Sequence, residues 1–130
     1  MAPQQPASRH APRIRVRRVY EPAAPDDGAR VLVDRLWPRG MAKDELPLDA
    51  WLKDVAPSSE LRKWYRHDPD RYGEFAERYR QELAAPGCVA GLDRLRELAA
   101  QGPLTLLTSV KDLSHSHVRV LGEELGGGAG

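Results

Sequence analysis

Two short apolar runs, Val31 to Val33 and Leu104 to Thr108, stand far apart in the chain, and most of what separates them carries apolar residues at helical spacing. A strand followed by a helical crossover and a second strand places the two strands parallel in one sheet, because a tight turn can only bring the chain back antiparallel. The expected fold is therefore a small single α/β domain. Its short, mainly parallel sheet is covered by helices, and a large helical insert lies between the second and third strands.

An earlier strand is marked by Arg13, Ile14, Arg15, Val16 and Arg17, which alternate charged and apolar residues as a strand at or near a sheet edge does. Pro22, Pro25 and the Asp26, Asp27, Gly28 cluster then turn the chain. Within the insert, Leu48, Trp51, Leu52 and Val55 have the spacing of a short amphipathic helix that Pro57 ends. Ser58 is the expected N-cap of a second helix through Leu61, Trp64 and Tyr65. Tyr72, Phe75, Ala76, Tyr79 and Leu83 mark a third, and Val89, Leu92, Leu95 and Leu98 a fourth, stopped by Gly102 and Pro103. After the turn at 109–114, Val118, Leu121 and Leu125 predict the last helix.

Composition narrows the function classes. With 130 residues, 41% of them hydrophobic, one core suffices, and neither a fibrous repeat nor a disulfide scaffold fits. Twenty Lys and Arg against 19 Asp and Glu leave +1, so no bulk field draws the protein onto nucleic acid or an anionic membrane. The single cysteine, Cys88, can form neither an internal bridge nor a zinc cluster; a reducing, cytoplasmic setting is expected. No run approaches the roughly 20 apolar residues of a bilayer span. Residues 1–12 read as a disordered arm, residues 13–125 as the folded domain and residues 126–130 as a flexible glycine-rich tail.

Ligands of parallel sheets bind outside the carboxyl ends of the strands. Two segments meet that description: Asp34 to Lys43 after the second strand, and Thr108 to His117 after the third. Across the crevice between them, Arg35, Trp37, Arg39, Lys43, Lys111 and Asp112 are the candidate ligand-binding residues, and Asp34 and His115 the candidates to move a proton. Each has a structural alternative. Asp34 and Arg35, as adjacent strand residues, point to opposite faces and cannot both aim at one substrate without a bend; a buried ion pair with a neighbouring loop is the favoured reading. Arg39 can stack on Trp37 instead of holding an anion. Asp112 or Ser114 can cap a helix that starts there, with Lys111 merely solvated. His115 and His117 lie about 200° apart around a helix and do not chelate one metal together. His117 falls nearer the apolar stripe and is expected to be packed. Cys88 follows Pro86 and Gly87 near a helix start, where a thiol pKa is lowered, although a lone Cys more often serves as a small apolar residue.

Taken together, Val33 to Gly40 with Lys43, Trp51 to Lys53, Ala56 to Ser58, Glu60 to Arg62 with Trp64 and His67, Phe75 with Arg78 and Tyr79, and Lys111, Asp112 and His115 resemble the YeaO-like branch of the bacterial domain-of-unknown-function 488 family. The likeness covers nearly the whole ordered chain. It implies no established activity. Some members carry a tetrapyrrole-methyltransferase label, but nothing here reads as a glycine-rich cofactor loop, and neither a cofactor nor a metal is expected. The chain departs from the branch at Thr108 and Ser116, where the resemblance implies an aromatic residue and an asparagine. The longer branch resembles this one but places a Cys-His-Arg run where His115, Ser116 and His117 stand here, so an obvious nucleophile is missing.

Two functions follow as expectations. One is a site for a small anion of the phosphate, carboxylate or nucleotide type, with or without acid-base chemistry. The other is a non-catalytic module whose Arg13, Arg15, Arg17 and Arg18, helped by Arg9, form a basic strip for nucleic acid or a protein partner. Of these the first fits the near-neutral total better.

Overall fold

The computed structural model describes residues 14–126, so Arg9, Arg13, the expected arm and all but the first residue of the tail lie outside it. Four strands, β1 (Ile14–Arg18), β2 (Ala29–Leu32), β3 (Ala50–Trp51) and β4 (Leu104–Thr108), form one sheet in the order β1-β4-β2-β3. Every pairing is parallel. The alternating strand is at an edge, and the two apolar runs lie side by side in the middle with Val31 opposite Leu106. The helices are α1 (Ser59–Tyr65), α2 (Tyr72–Leu83), α3 (Pro86–Gln101) and α4 (His117–Glu124).

Period two decides which face each strand residue serves. Val31, Leu104 and Leu106 point into the main core, where Phe75, Tyr79, Leu83, Leu95, Val118 and Leu121 bring helix stripes against the sheet. Leu32 and Leu107 point the other way, into a smaller core closed by Val19, Leu46, Trp37 and Trp51. One face is thus covered by helices and the other by loop. Ser58 caps α1 as expected, accepting from the Leu61 N–H at 3.1 Å, and its hydroxyl donates to Glu82 of α2.

Two expectations are corrected. The stretch from Leu48 to Val55 is β3 followed by a 3-10 turn, Lys53–Val55, rather than a helix. Its apolar residues serve both sides of the sheet, Leu48 and Trp51 packing with the smaller core and Leu52 and Val55 with the larger. The segment is drawn straight by the otherwise open edge of β2: the Asp49 N–H donates to the Arg30 carbonyl at 2.8 Å and the Leu52 N–H to the Leu32 carbonyl at 2.9 Å. The last helix, in turn, begins at His117, because Leu113–His115 is a separate 3-10 turn and the cap, Ser116, is extended with φ −121°. Asp112 and Ser114 therefore do not cap it. Among the described residues no helix is long and apolar enough to cross a membrane.

Candidate functional site

The ends of β1, β2 and β4 open into a cavity of about 740 Å³ that the insert and the start of α4 close from the other side. The strand side contributes Arg18 and Tyr20, then Asp34 to Trp37 with Arg39, then Ser109 to Asp112. The insert contributes Ala56, Pro57, Arg62, Tyr65, His67 and Phe75, and α4 contributes Ser116 and His117. Parallel neighbours β2 and β4 are what bring the second and third of these segments together, as the crossover predicts.

Asp34 is the buried anchor of this wall. Its Oδ1 accepts from Thr108 Oγ1 at 2.6 Å, and its Oδ2 from the Ser109 N–H at 2.8 Å and Ser109 Oγ at 3.0 Å. His117 Nε2 lies 3.2 Å from Oδ1 and 3.1 Å from the Val33 carbonyl. Both neighbours are acceptors, so Nε2 carries a proton. Burial raises the Asp34 pKa, but the bonds from His117, Thr108 and Ser109 outweigh it and hold the carboxyl below its ordinary value. Ionised and fully solvated by protein, this carboxylate has no oxygen left to take a substrate proton.

The arginines at the mouth are held differently. Arg18 donates from Nε to the Val110 carbonyl at 3.1 Å and from Nη2 to the Ser109 carbonyl at 3.3 Å. Arg35 repeats the pattern on carbonyls of the insert, from Nε to Pro57 at 3.3 Å and from Nη2 to Ala56 at 3.1 Å. Arg39, Arg62 and Lys111 are exposed. Among the described residues none of these five cations has a carboxylate within salt-bridge distance, whereas the arginines that do pair, from Arg15 and Arg17 on β1 to Arg78, Arg80 and Arg119 on the helices, all lie off the cavity wall. The second carboxylate on the wall, Asp112, is bonded to Ser114 and to His115 Nδ1, each at 2.8 Å, and those two bonds lower its pKa.

Of the residues singled out from the sequence, Asp34, Arg35, Trp37, Arg39, Lys111 and Asp112 all line this cavity. Lys43 does not; it is exposed on a 3-10 turn at Lys43–Glu45. His115 does not either, its ring standing edge-on to Tyr72 at 5.4 Å. Asp34 and Arg35 face one cavity because β2 ends at Leu32, so the strand rule that set them on opposite faces no longer applies. Trp37 stacks edge to face on Trp51 at 5.3 Å, not on Arg39, and both indoles are pinned: Trp37 Nε1 donates to the Met41 carbonyl and Trp51 Nε1 to that of Asp34. Cys88 is also corrected: burial raises its thiol pKa, and its Sγ lies 3.1 Å from the Asp54 carbonyl.

Sequence reasoning grouped Arg18 with the basic strip and missed Tyr20, Arg62, Tyr65 and Ser109. Period two separates Arg18 from Arg15 and Arg17, which turn to the other face and meet Asp26, Asp27 and Glu21. The position of Arg18 as the last residue of an edge strand was the available signal. His67, at φ 55° after an equally left-handed Arg66, reaches the rim as the insert folds back. Lys53 does not, lying over the Trp51 ring at 4.5 Å.

Fold and cavity together define a small parallel α/β domain with an electropositive cleft at the carboxyl ends of its strands. A family model described as the inactive DUF488-N3 subclade matches residues 13–127, and the chain belongs to that DUF488 family. It is 50% identical over 115 residues to uncharacterized proteins of Mycobacterium bovis (Mb3100c) and Mycobacterium tuberculosis (Rv3073c), covering 88% of this chain and 95% of theirs. Over 112 residues it is 46% identical to the uncharacterized protein YeaO of Escherichia coli, covering 86% of this chain and 96% of that one. The YeaO-like resemblance read from the sequence therefore stands. No solved structure matches the chain.

Proposed function

We propose that this protein is a cytoplasmic binding domain for a small anionic ligand, held in the cavity at the strand ends without acid-base chemistry. The observation that carries the reading is the partition of charge. Elsewhere on the described surface every arginine but Arg66 lies within salt-bridge distance of a carboxylate, while Arg18, Arg35, Arg39, Arg62 and Lys111 line one hollow with no carboxylate that close. Five cations against the two carboxylates of the wall, Asp34 and Asp112, leave an excess of positive charge, and an anion relieves the repulsion among them. The saturated hydrogen bonding of Asp34 and the word inactive in the family description favour binding over catalysis. Against the nucleic-acid reading, Arg15 and Arg17 are spent on carboxylates.

Thermal unfolding in increasing phosphate, sulfate or adenosine monophosphate tests this, since a ligand of the folded state raises the melting temperature by mass action. A rise that saturates is expected, and Arg39→Ala with Lys111→Ala is expected to move it to higher anion concentration. The same melting temperature at every anion concentration would defeat the reading.

A further inference from the structure

The two part-buried arginines of the cavity differ from the three exposed cations in one respect that bears on ligand class. Arg18 and Arg35 each straddle two consecutive backbone carbonyls, Ser109 with Val110 and Ala56 with Pro57, through the same pair of nitrogens, Nε and Nη2. A guanidinium has five N–H donors in one plane. Two are used here, and Nη1 with the remaining Nη2 hydrogen has no acceptor among the described residues. Each side chain is thus fixed on its inner edge and open on its outer edge, and both line the cavity, Arg18 anchored on the loop after β4 and Arg35 on the insert.

We infer that the ligand is an organic phosphate whose phosphoryl group is clasped by the open edges of Arg18 and Arg35; this rests on the anion-binding reading above. Two forks fixed on separate backbone segments call for more oxygens than one plane supplies. A carboxylate offers two coplanar oxygens, which one fork satisfies. A phosphoryl group offers three in a tetrahedral arrangement, enough for both. Five cations against two carboxylates, Asp34 and Asp112, still leave the wall with more than one positive charge, which suits a dianion better than a single charge. The phosphate carries an organic body because the cavity, at about 740 Å³, is of the size that holds a whole small molecule, and its mouth leaves Leu36 65% and Tyr20 45% exposed. Those side chains give an apolar or planar group something to lie against. Arg39 and Lys111, unanchored and in water, contribute attraction rather than shape.

Calorimetric titration of the full chain with phenyl phosphate, benzoate and inorganic phosphate separates the possibilities. Phenyl phosphate is expected to bind at least about tenfold tighter than benzoate and than inorganic phosphate. Arg18→Lys and Arg35→Lys keep the charge but lose the fork, and each is expected to cost about tenfold or more in affinity for phenyl phosphate, against less than about threefold for Arg39→Lys. Benzoate binding as tightly as phenyl phosphate would overturn the inference while leaving the anion site standing, as would equal losses for all three lysine variants. Absence of binding by every anion would remove both readings. The comparison of the three ligands on the unmutated chain holds even if a variant fails to fold.

Discussion

At the scale of single residues, Asp34 shows how little of a site's chemistry a residue type reveals. A carboxylate at a strand end invites the role of general base, yet three hydrogen bonds and the His117 ring at 3.2 Å converge on this one. Thr108, which departs from the aromatic residue implied by the resemblance, supplies one of them from a fully buried position, so the departure and the carboxylate's environment belong together. The buried ion-pair role of Asp34 was legible as an alternative, but not its partners, because Asp34 lies far along the chain from Thr108 and His117. The expectation that His117 is packed is met, at 7% exposure. Because the folded-state pKa of Asp34 is depressed, its contribution to stability is present above the ordinary carboxylate value of about 4 and is lost as pH falls through the lower folded-state value. Asp34→Asn places an amide among donors and is expected to cost about 3 kcal/mol at pH 7. Urea unfolding at pH 7 and at pH 3 checks both points, with the variant's penalty shrinking in acid. An unchanged midpoint at pH 7 would show that the network carries no stability.

At the scale of elements, the parallel pairing of β2 with β4 was legible because an apolar run, a helical stretch and a second apolar run leave few alternatives. What was not legible was β3. Leu48, Trp51, Leu52 and Val55 satisfy helical spacing, but the same four residues divide between two sheet faces once the segment pairs with β2. Periodicity reports which positions are buried, not against what, and a two-residue strand is too short to impose its own signature. The start of β2 depends on a close approach that sequence alone also conceals. Gly28 has φ +66°, and a Cβ there would stand 2.1 Å from the Pro103 carbonyl oxygen, beside the point where the Ala29 N–H donates to that carbonyl. Gly40 has φ +76° but nothing within 4 Å. Gly28→Ala is therefore expected to cost more than about 3 kcal/mol, and Gly40→Ala only about 1 kcal/mol, by chemical denaturation. Similar costs at both positions would mean that the β2 and β4 starts are not packed this closely.

Across the whole molecule the net charge is +1, yet among the described residues five cations without a carboxylate at salt-bridge distance line one hollow. The total does not predict this, since it averages over pairs such as Arg78 with Glu74 and over cations that have no partner. On the reading proposed above, an anion goes to this hollow and not to the arginine face of β1. The most direct test is to follow backbone amide chemical shifts by NMR as phenyl phosphate is titrated into the isotopically labelled full chain. Saturable shifts are expected to gather at Arg18 to Tyr20, Asp34 to Gly40 and Ser109 to Asp112. Saturable shifts centred on Arg15, Arg17 and Asp26 instead, or none that saturate anywhere, would contradict it.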